Sequence, residues 1–225
     1  MVSRDVAANN ASSVSLQGKH VVITGGRGAL GKGVVSVFEA RGATVHVADR
    51  PDVQLDDEAS TRAFYAALPP IWASVHLVGG FAMAPLAETS VADFEGQWRL
   101  NTLTCFLACR EAVISMRKGG QGGRIVNVGS RPVIAPVGGM AAYVAAKAGV
   151  ASLTQTLAAE LLGEGILVNA VLPSTIDTPA NRASMPKADH GKWPKPEEIA
   201  ETIAFLASPE NALTSGTLVP VFGRA

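Results

Sequence analysis

The sequence predicts an α/β protein with one main domain, residues 15–225, built on a doubly wound parallel sheet with helices on both faces. Three features lead to this fold class. Short β-rich runs alternate with segments of helical periodicity, a glycine cluster joins the first run to the first helix, and 48% of the 225 residues are apolar. Strands that alternate with helices in this way form parallel sheets, and a chain of this length can bury a sizeable core.

The first strand, turn, helix and second strand predict a dinucleotide site of the Rossmann type. The run His20–Thr24 is typical of a buried strand, and the second strand, Thr44–Ala48, ends at Asp49. Backbone amides at the start of a helix can bind a pyrophosphate that glycines allow to approach closely. An acid about 20 residues further on can bind the adenosine ribose. The predicted cofactor contacts in the turn are Gly25, Arg27, Gly28, Leu30 and Gly31.

The end of the second strand also bears on the choice of cofactor. The Asp49 carboxylate would repel a 2′-phosphate, which favours NAD(H) over NADP(H). Arg50 follows directly and Arg27 lies within the turn, and either guanidinium could accommodate a phosphate. NADP(H) therefore stays as the alternative.

The next segment is short. Between Asp49 and the motif VQLDD at 53–57, which we interpret as a further strand, too few residues remain for a full crossover helix, so one crossover helix is shortened or reduced to a loop. A helix over 58–68 follows, and either Asp56 or Asp57 could cap its start.

The rest of the chain continues the alternation. We predict strands at 74–78, 124–128, 167–171 and 217–221, and helices at 90–116, 141–162 and 197–207. Ser90 and Asp93 suit a helix start, and Pro196 suits another. The long polar segment 179–195 is predicted to form a mobile lid over a substrate.

Tyr143 and Lys147 indicate acid–base chemistry. Residues four apart on a helix share a face, so the phenol and the ammonium project into the same space. A nearby cation favours the phenolate and would lower the pKa of Tyr143, which would make it a general acid–base group. Ser130, in the loop after the 124–128 strand, could hydrogen-bond a substrate oxygen beside it. The alternative is a surface Tyr/Lys pair on an amphipathic helix.

Composition excludes several other functions. Lys and Arg together number 19, as do Asp and Glu, and we find no basic run with interleaved aromatics, which argues against a nucleic-acid partner. No apolar run has the length of a membrane span and no signal pattern begins the chain, so we expect a soluble, cytoplasmic protein. Cys105 and Cys109 supply neither a disulfide framework nor a four-ligand zinc set, so we interpret them as reduced core thiols and predict no metal. Residues 1–14 are expected to form a flexible tail.

Together, the motifs TGGRGALG, Asp49, Ser130 and YVAAK resemble the short-chain dehydrogenase/reductase family, from about Leu16 to Arg224. The resemblance implies an NAD(P)-dependent oxidoreductase acting on a small carbonyl or alcohol substrate. Ala29 departs from the family's second glycine, and we expect the turn to survive the extra methyl. The resemblance also implies catalytic Asn101, at a local helix irregularity, and further cofactor contacts from Asp56, Gly79, Gly80, Tyr143, Lys147, Pro173, Thr175 and Thr178.

The glycine turn and the segment DTPANRASMPKAD are similar to dihydropteridine reductase and related bacterial oxidoreductases, which makes reduction of a quinonoid pteridine a second hypothesis. Against it, those reductases typically lack the catalytic serine. A non-catalytic dinucleotide sensor is an alternative of another class, but it would not need Ser130, Tyr143 and Lys147 together. The family resemblance further implies a homodimer or homotetramer, paired through long helices with small residues such as Ala145 and Gly149; packing onto the sheet is the alternative role for those residues.

Overall fold

The computed structural model describes residues 14–224, and its centre is a parallel sheet of six strands. The predicted tail lies outside these residues except for its last member. The strands lie in the order β2-β1-β3-β4-β5-β6 and all five neighbouring pairs are parallel. Their bounds are β1 His20–Thr24, β2 Thr44–Ala48, β3 Ala73–His76, β4 Gly123–Val128, β5 Ile166–Pro173 and β6 Leu218–Val221. The predicted fold class is confirmed.

Helices cover both faces of this sheet. They are α1 Ala29–Ala40, α2 Glu58–Ala66, α3 Val91–Trp98, α4 Thr104–Gly119, α5 Ala141–Leu161, α6 Pro179–Ser184 and α7 Pro196–Ala207. Successive side chains of a strand point to opposite faces. Val21 therefore packs in one core with residues of α1 and α7, whereas Val22 packs in the other with residues of α2, α4 and α5. Within the described residues, no helix combines the length and the apolarity that a membrane crossing requires.

The connection from β2 to β3 differs from our expectation. The segment 53–57 is not a strand: Val53 and Leu55 are buried in the core, but the Val53 amide turns back to the Asp49 carbonyl at 3.0 Å instead of pairing along β2. The predicted strand is therefore wrong, while the shortened crossover is confirmed. Relative to the usual Rossmann order 3-2-1-4-5-6, residues 14–224 contain no strand beyond β2, and within them β2 is an edge strand that pairs only with β1.

The long helix predicted over 90–116 is divided into three parts. It begins with a capping box in which the Ser90 hydroxyl accepts from the Asp93 amide at 3.1 Å, as the sequence suggested. A π-helical turn, Arg99–Leu103, then separates α3 from α4. Such turns occur frequently at functional sites, and this one contains Asn101.

Candidate active site

The glycine turn has the shape that a bound pyrophosphate requires. Gly25 has φ +70°, a region that side chains rarely adopt, and a β-carbon at Gly31 would lie 2.6 Å from the Gly26 Cα. The turn thereby brings the start of α1 close to the end of β1, with Gly28 in the N-cap position and Ala29 as the first helical residue. Ala29 is exposed, and the turn survives the departure from the family pattern, as expected.

Asp49 lies beside this turn, at the end of β2. Its carboxylate accepts hydrogen bonds from the Arg27 amide at 3.0 Å and from the Arg50 amide at 2.9 Å. The Arg27 guanidinium donates to the Arg50 carbonyl at 2.7 Å and pairs with Asp52, and the Arg50 guanidinium lies 3.3 Å from Asp56. Each arginine near Asp49 thus already has an acidic partner.

The two aspartates that precede α2 have different partners. Asp57 caps the helix, because its side chain accepts from the Ser60 amide at 2.7 Å. Asp56 instead accepts from the Arg99 Nε at 3.0 Å, which ties this loop to the π turn. Capping therefore belongs to Asp57, and an adenine contact of Asp56 stays a prediction.

The fold brings Ser130, Tyr143 and Lys147 to one place. β4 leads through Gly129 to Ser130, and Tyr143 lies in the first turn of α5, close enough to Ser130 for the serine side chain to lower the pKa of the phenol. Lys147 lies one turn further along α5 and is buried, and its Nζ donates to the Val128 carbonyl at 2.9 Å. The strand end thus fixes the ammonium below the phenol and the hydroxyl.

Burial determines the protonation of these groups. Burial raises the pKa of the Tyr143 phenol, and the hydrogen bond with Ser130 opposes that rise. Burial also lowers the pKa of the Lys147 ammonium to about 8. The net direction is opposite to the lowering that we expected, because desolvation favours the neutral phenol and is the largest effect. The contribution of Lys147 to the pKa of Tyr143 stays a prediction.

Asn101 joins the site from the π turn. It is buried, its side-chain oxygen accepts from the Gly80 amide at 3.2 Å, and its nitrogen donates to the carbonyls of Gly80 and Gln97 at 3.1 and 3.0 Å. A β-carbon at Gly79 would lie 2.6 Å from the Asn101 oxygen and 3.0 Å from the Lys147 Nζ. The turn after β3 can therefore pass between these two side chains only as glycine. The helix irregularity is confirmed, and the catalytic role of Asn101 stays a prediction.

We expect Gly79→Ala to lower turnover about 10²-fold, because a misplacement of about 1 Å at a reacting site costs that much. The added methyl would displace the Asn101 amide and the Lys147 ammonium together. Steady-state kinetics would measure the loss. Gly138→Ala is the matched control, since a β-carbon there has no atom within 4 Å. Equal activity of the two variants would contradict the assigned packing.

The remaining predicted contacts lie at the carboxyl end of β5. Pro173 is the last residue of β5 and Thr175 follows in the loop. Thr178 caps α6, accepting from the Asn181 amide at 3.2 Å. The predicted lid, 179–195, contains α6 and a short 3₁₀ turn, and the Asp177 amide bonds the Pro194 carbonyl at 2.9 Å. The segment is therefore partly helical and is bonded to the loop after β5, and its role as a mobile lid stays a prediction.

Sequence reasoning missed the apolar side chains that surround Tyr143. The Phe81 ring contacts the Tyr143 ring edge to face, with centroids 5.1 Å apart, yet 59% of Phe81 is exposed. Met83 lies beside Gly139, and Ile134 and Val137, in the loop before α5, are also exposed. Exposed apolar side chains that lie together often mark a binding surface. The run FAMAP was the available signal, but its position beside Tyr143 depends on the tertiary fold.

Comparisons with known proteins agree with this geometry. A family sequence model described as Enoyl-(Acyl carrier protein) reductase matches residues 2–223. The 3beta-hydroxysteroid dehydrogenase 1 of Eggerthella lenta is 30% identical, with 92% of this chain and 94% of that protein covered. An uncharacterized short-chain type dehydrogenase/reductase of Sinorhizobium fredii is 28% identical over 92% of this chain but is longer, so that the chain spans 43% of its length.

A solved structure adds a likeness of fold. The 3-ketoacyl-(acyl-carrier-protein) reductase from Brucella melitensis, complexed with NADH, superposes with a TM-score of 0.84 at 27% identity, with 93% of this chain and 98% of that chain covered. The chain therefore belongs to the short-chain dehydrogenase/reductase family and is an NAD(P)-dependent oxidoreductase that acts on carbonyl or alcohol groups.

Proposed function

We propose that this oxidoreductase interconverts a ketone and a secondary alcohol on a small apolar molecule, with Tyr143 as the general acid–base group. One observation carries the proposal: Ser130, Tyr143, Lys147 and Asn101 converge beside the glycine-lined turn at Gly79. A nicotinamide cofactor supplies or accepts the hydride. The turn after β1 would bind its pyrophosphate, and Asp49 its adenosine ribose.

The protein's own groups would manage the substrate oxygen. In the reductive direction Tyr143 donates its proton to the oxygen, and in the oxidative direction it removes that proton. The Ser130 hydroxyl donates a hydrogen bond to the same oxygen and orients it beside the phenol. Lys147, fixed by the Val128 carbonyl, places a positive charge below the phenol and stabilises the phenolate when it forms. Asn101 holds the turn at Gly80 in position.

The surroundings of Tyr143 support an apolar substrate. Phe81 contacts the Tyr143 ring, and Met83 from the same segment lies beside Gly139 in the loop before α5. A substrate that covers these exposed side chains would gain about 25 cal/mol for each Å² of apolar surface removed from water. We therefore expect ring ketones without a charged group to be better substrates than small polar ketones.

Turnover of a matched substrate panel tests the function. The protein would be mixed with NADH and a series of ring ketones, short polar ketones and a quinonoid pteridine, and nicotinamide absorbance would be followed. Oxidation of NADH by ring ketones is the expected result. Preferential turnover of the pteridine would favour the second hypothesis, and NADH binding without turnover of any compound would overturn the proposal.

We propose NAD(H) as the preferred cofactor. The Asp49 carboxylate disfavours a 2′-phosphate, while Arg27 and Arg50 are partnered by Asp52 and Asp56. Fluorescence titration should give a lower Kd for NADH than for NADPH, and Asp49→Ser should reduce or reverse that difference in Kd. Asp52→Asn is the control, because it removes the acidic partner of the Arg27 guanidinium but keeps the Asp49 carboxylate. Tighter binding of NADPH by the unaltered protein would refute the preference.

We also propose a homo-oligomer. Val91, Phe94 and Trp98 lie at helical spacing on α3 and are all exposed in the single chain. Such an apolar helix face is typical of one that a second subunit covers. By contrast, Gly149 packs within the chain, because a β-carbon there would lie 2.9 Å from Thr102. Light scattering at micromolar concentration should give a dimer or tetramer, and a monomer would contradict the proposal.

The free, buried cysteines suit a reducing compartment, which supports a cytoplasmic location.

A further inference from the structure

Four polar side chains meet in the core on the α4 side of the sheet, where the proposed reaction does not use them. They are His76, Cys105, Cys109 and Asn127, which we name the thiol–imidazole cluster, and all four are buried. His76 is the last residue of β3, and Asn127 is its direct partner in β4. Cys105 and Cys109 lie one turn apart on α4, so both thiols can face the same strand ends.

The donor atoms of the cluster converge on a common point. His76, Cys105 and Cys109 each offer one ligand atom, and these three atoms lie within 4.8 Å of one another. The Cys109 Sγ lies 3.4 Å from the His76 Nδ1 and 3.6 Å from the Asn127 Oδ1. Tetrahedral zinc, with bonds of about 2.0 Å to nitrogen, 2.1 Å to oxygen and 2.3 Å to sulfur, separates nitrogen from sulfur by about 3.5 Å and oxygen from sulfur by about 3.6 Å.

Hydrogen bonds outside the cluster fix the orientation of two ligands. The Thr154 hydroxyl donates to the Val150 carbonyl at 2.8 Å, so it must accept from the Asn127 Nδ2 at 2.9 Å. Asn127 therefore presents its oxygen to the cluster. Because the Asn127 oxygen can only accept, the His76 Nδ1 donates to it at 2.8 Å, and Nε2 accepts from the Ser74 hydroxyl at 2.8 Å. Metal binding at Nδ1 would require the other tautomer, in which the proton is on Nε2 and the Ser74 hydroxyl accepts it. Ligating histidines almost always have such a partner.

One hydrogen bond must be given up. The His76 Nδ1 and the Asn127 Oδ1 are 2.8 Å apart, whereas a tetrahedral ion would separate them by about 3.4 Å. Both side chains would move apart by about 0.6 Å in total and exchange that hydrogen bond for two metal bonds.

Charge selects the ion. Two thiolates neutralise a divalent cation, and the imidazole and the amide add no charge, so the occupied cluster is neutral and avoids an uncompensated buried charge. Sulfur and nitrogen donors favour zinc over magnesium or calcium.

We propose that the thiol–imidazole cluster binds one Zn²⁺ ion, with Cys105, Cys109 and His76 as ligands and the Asn127 side-chain oxygen as the fourth. Because the cluster joins β3, β4 and α4, the ion would cross-link the core below the active site. Both thiols lose their protons on binding, so uptake would release two protons and weaken as the pH falls.

Metal content and cobalt spectroscopy test this proposal on the full-length protein. The protein would be produced with added zinc, purified without chelators and assayed for zinc by mass spectrometry. We expect about one Zn²⁺ per chain. Refolding with Co²⁺ under anaerobic conditions should give sulfur-to-cobalt charge-transfer absorption in the near ultraviolet and the strong visible bands of a tetrahedral site.

Two variants identify the ligands. Cys109→Ser should lose the charge-transfer absorption and the bound zinc. His46→Gln is the control, because His46 belongs to a separate pair in which its Nε2 lies 3.0 Å from the His20 Nδ1, and its loss should leave the absorption unchanged. The proposal fails if the unaltered protein takes up neither zinc nor thiolate-bound cobalt, a result that does not depend on how the variants fold. Unchanged absorption in Cys109→Ser would also overturn it.

Discussion

Tyr143→Phe should lower turnover of a ketone substrate by about 10²–10⁴-fold, the usual contribution of a positioned acid–base group. The change removes only the phenol hydroxyl and leaves the ring in contact with Phe81. NADH affinity should stay within about twofold, because the turn after β1 and Asp49 are untouched. Single-turnover kinetics with a separate NADH titration would distinguish the two effects.

Tyr65 provides the matched control, since it is the other of the two tyrosines in the chain. Its hydroxyl lies 2.8 Å from the Ser74 hydroxyl in the core. Tyr65→Phe should cost about 1 kcal/mol of stability and leave turnover nearly unchanged. If Tyr143→Phe kept comparable activity, or if both variants lost activity equally, the assignment of Tyr143 would be wrong.

Lys147→Met should abolish most of the activity and at the same time stabilise the fold at neutral pH. Burial lowers the pKa of Lys147 from 10.5 to about 8, so the charged form costs about 3 kcal/mol in the folded protein. The variant leaves the Val128 carbonyl without its 2.9 Å hydrogen bond, at a cost of about 1 kcal/mol. We expect a net gain of about 2 kcal/mol in the free energy of unfolding, measured by urea titration.

The gain should depend on pH with a definite sign. The folded pKa of Lys147 lies below the unfolded value, so between about pH 8 and 10.5 the unfolded chain binds more protons and the stability of the unaltered protein rises with pH. The advantage of the variant is thus complete below pH 8 and declines towards pH 10.5. A variant no more stable than the parent at pH 7 would show that the buried ammonium is not costly.

Local patterns predicted the strands and most helices well, because each is determined by its own residues. The His20–Thr24 run, the glycines after it and the Ser90 cap all depend on contacts within a few positions, and the structure confirms them. The juxtaposition of Ser130, Tyr143 and Lys147 was predicted from helical spacing and resemblance to the family. Helical spacing and family motifs together were therefore enough to predict where these residues lie.

Other features depend on tertiary context and could not be predicted. The alternation in VQLDD places Val53 and Leu55 in the core, as a strand would, but no strand of the described part of the chain pairs with it. The direction of the Tyr143 pKa depends on burial that spacing does not show. The two cysteines were interpreted alone, because nothing in the sequence places His76 or Asn127, from two distant strands, beside them.

The loss of the strand beyond β2 has a consequence for how the nucleotide is held. Among the strands that the structure describes, β2 has a neighbour on one side only, so it should detach locally at a lower free energy than the central strands. Asp49 follows the last residue of β2, and its carboxylate accepts a hydrogen bond from the Arg27 amide. A nucleotide bound at Asp49 would therefore stabilise β2 against local unfolding. Amide hydrogen exchange should therefore slow on NADH addition more at His46 and Ala48, whose amides face β1, than at Val126 in the centre of the sheet, and equal slowing would contradict this stabilisation.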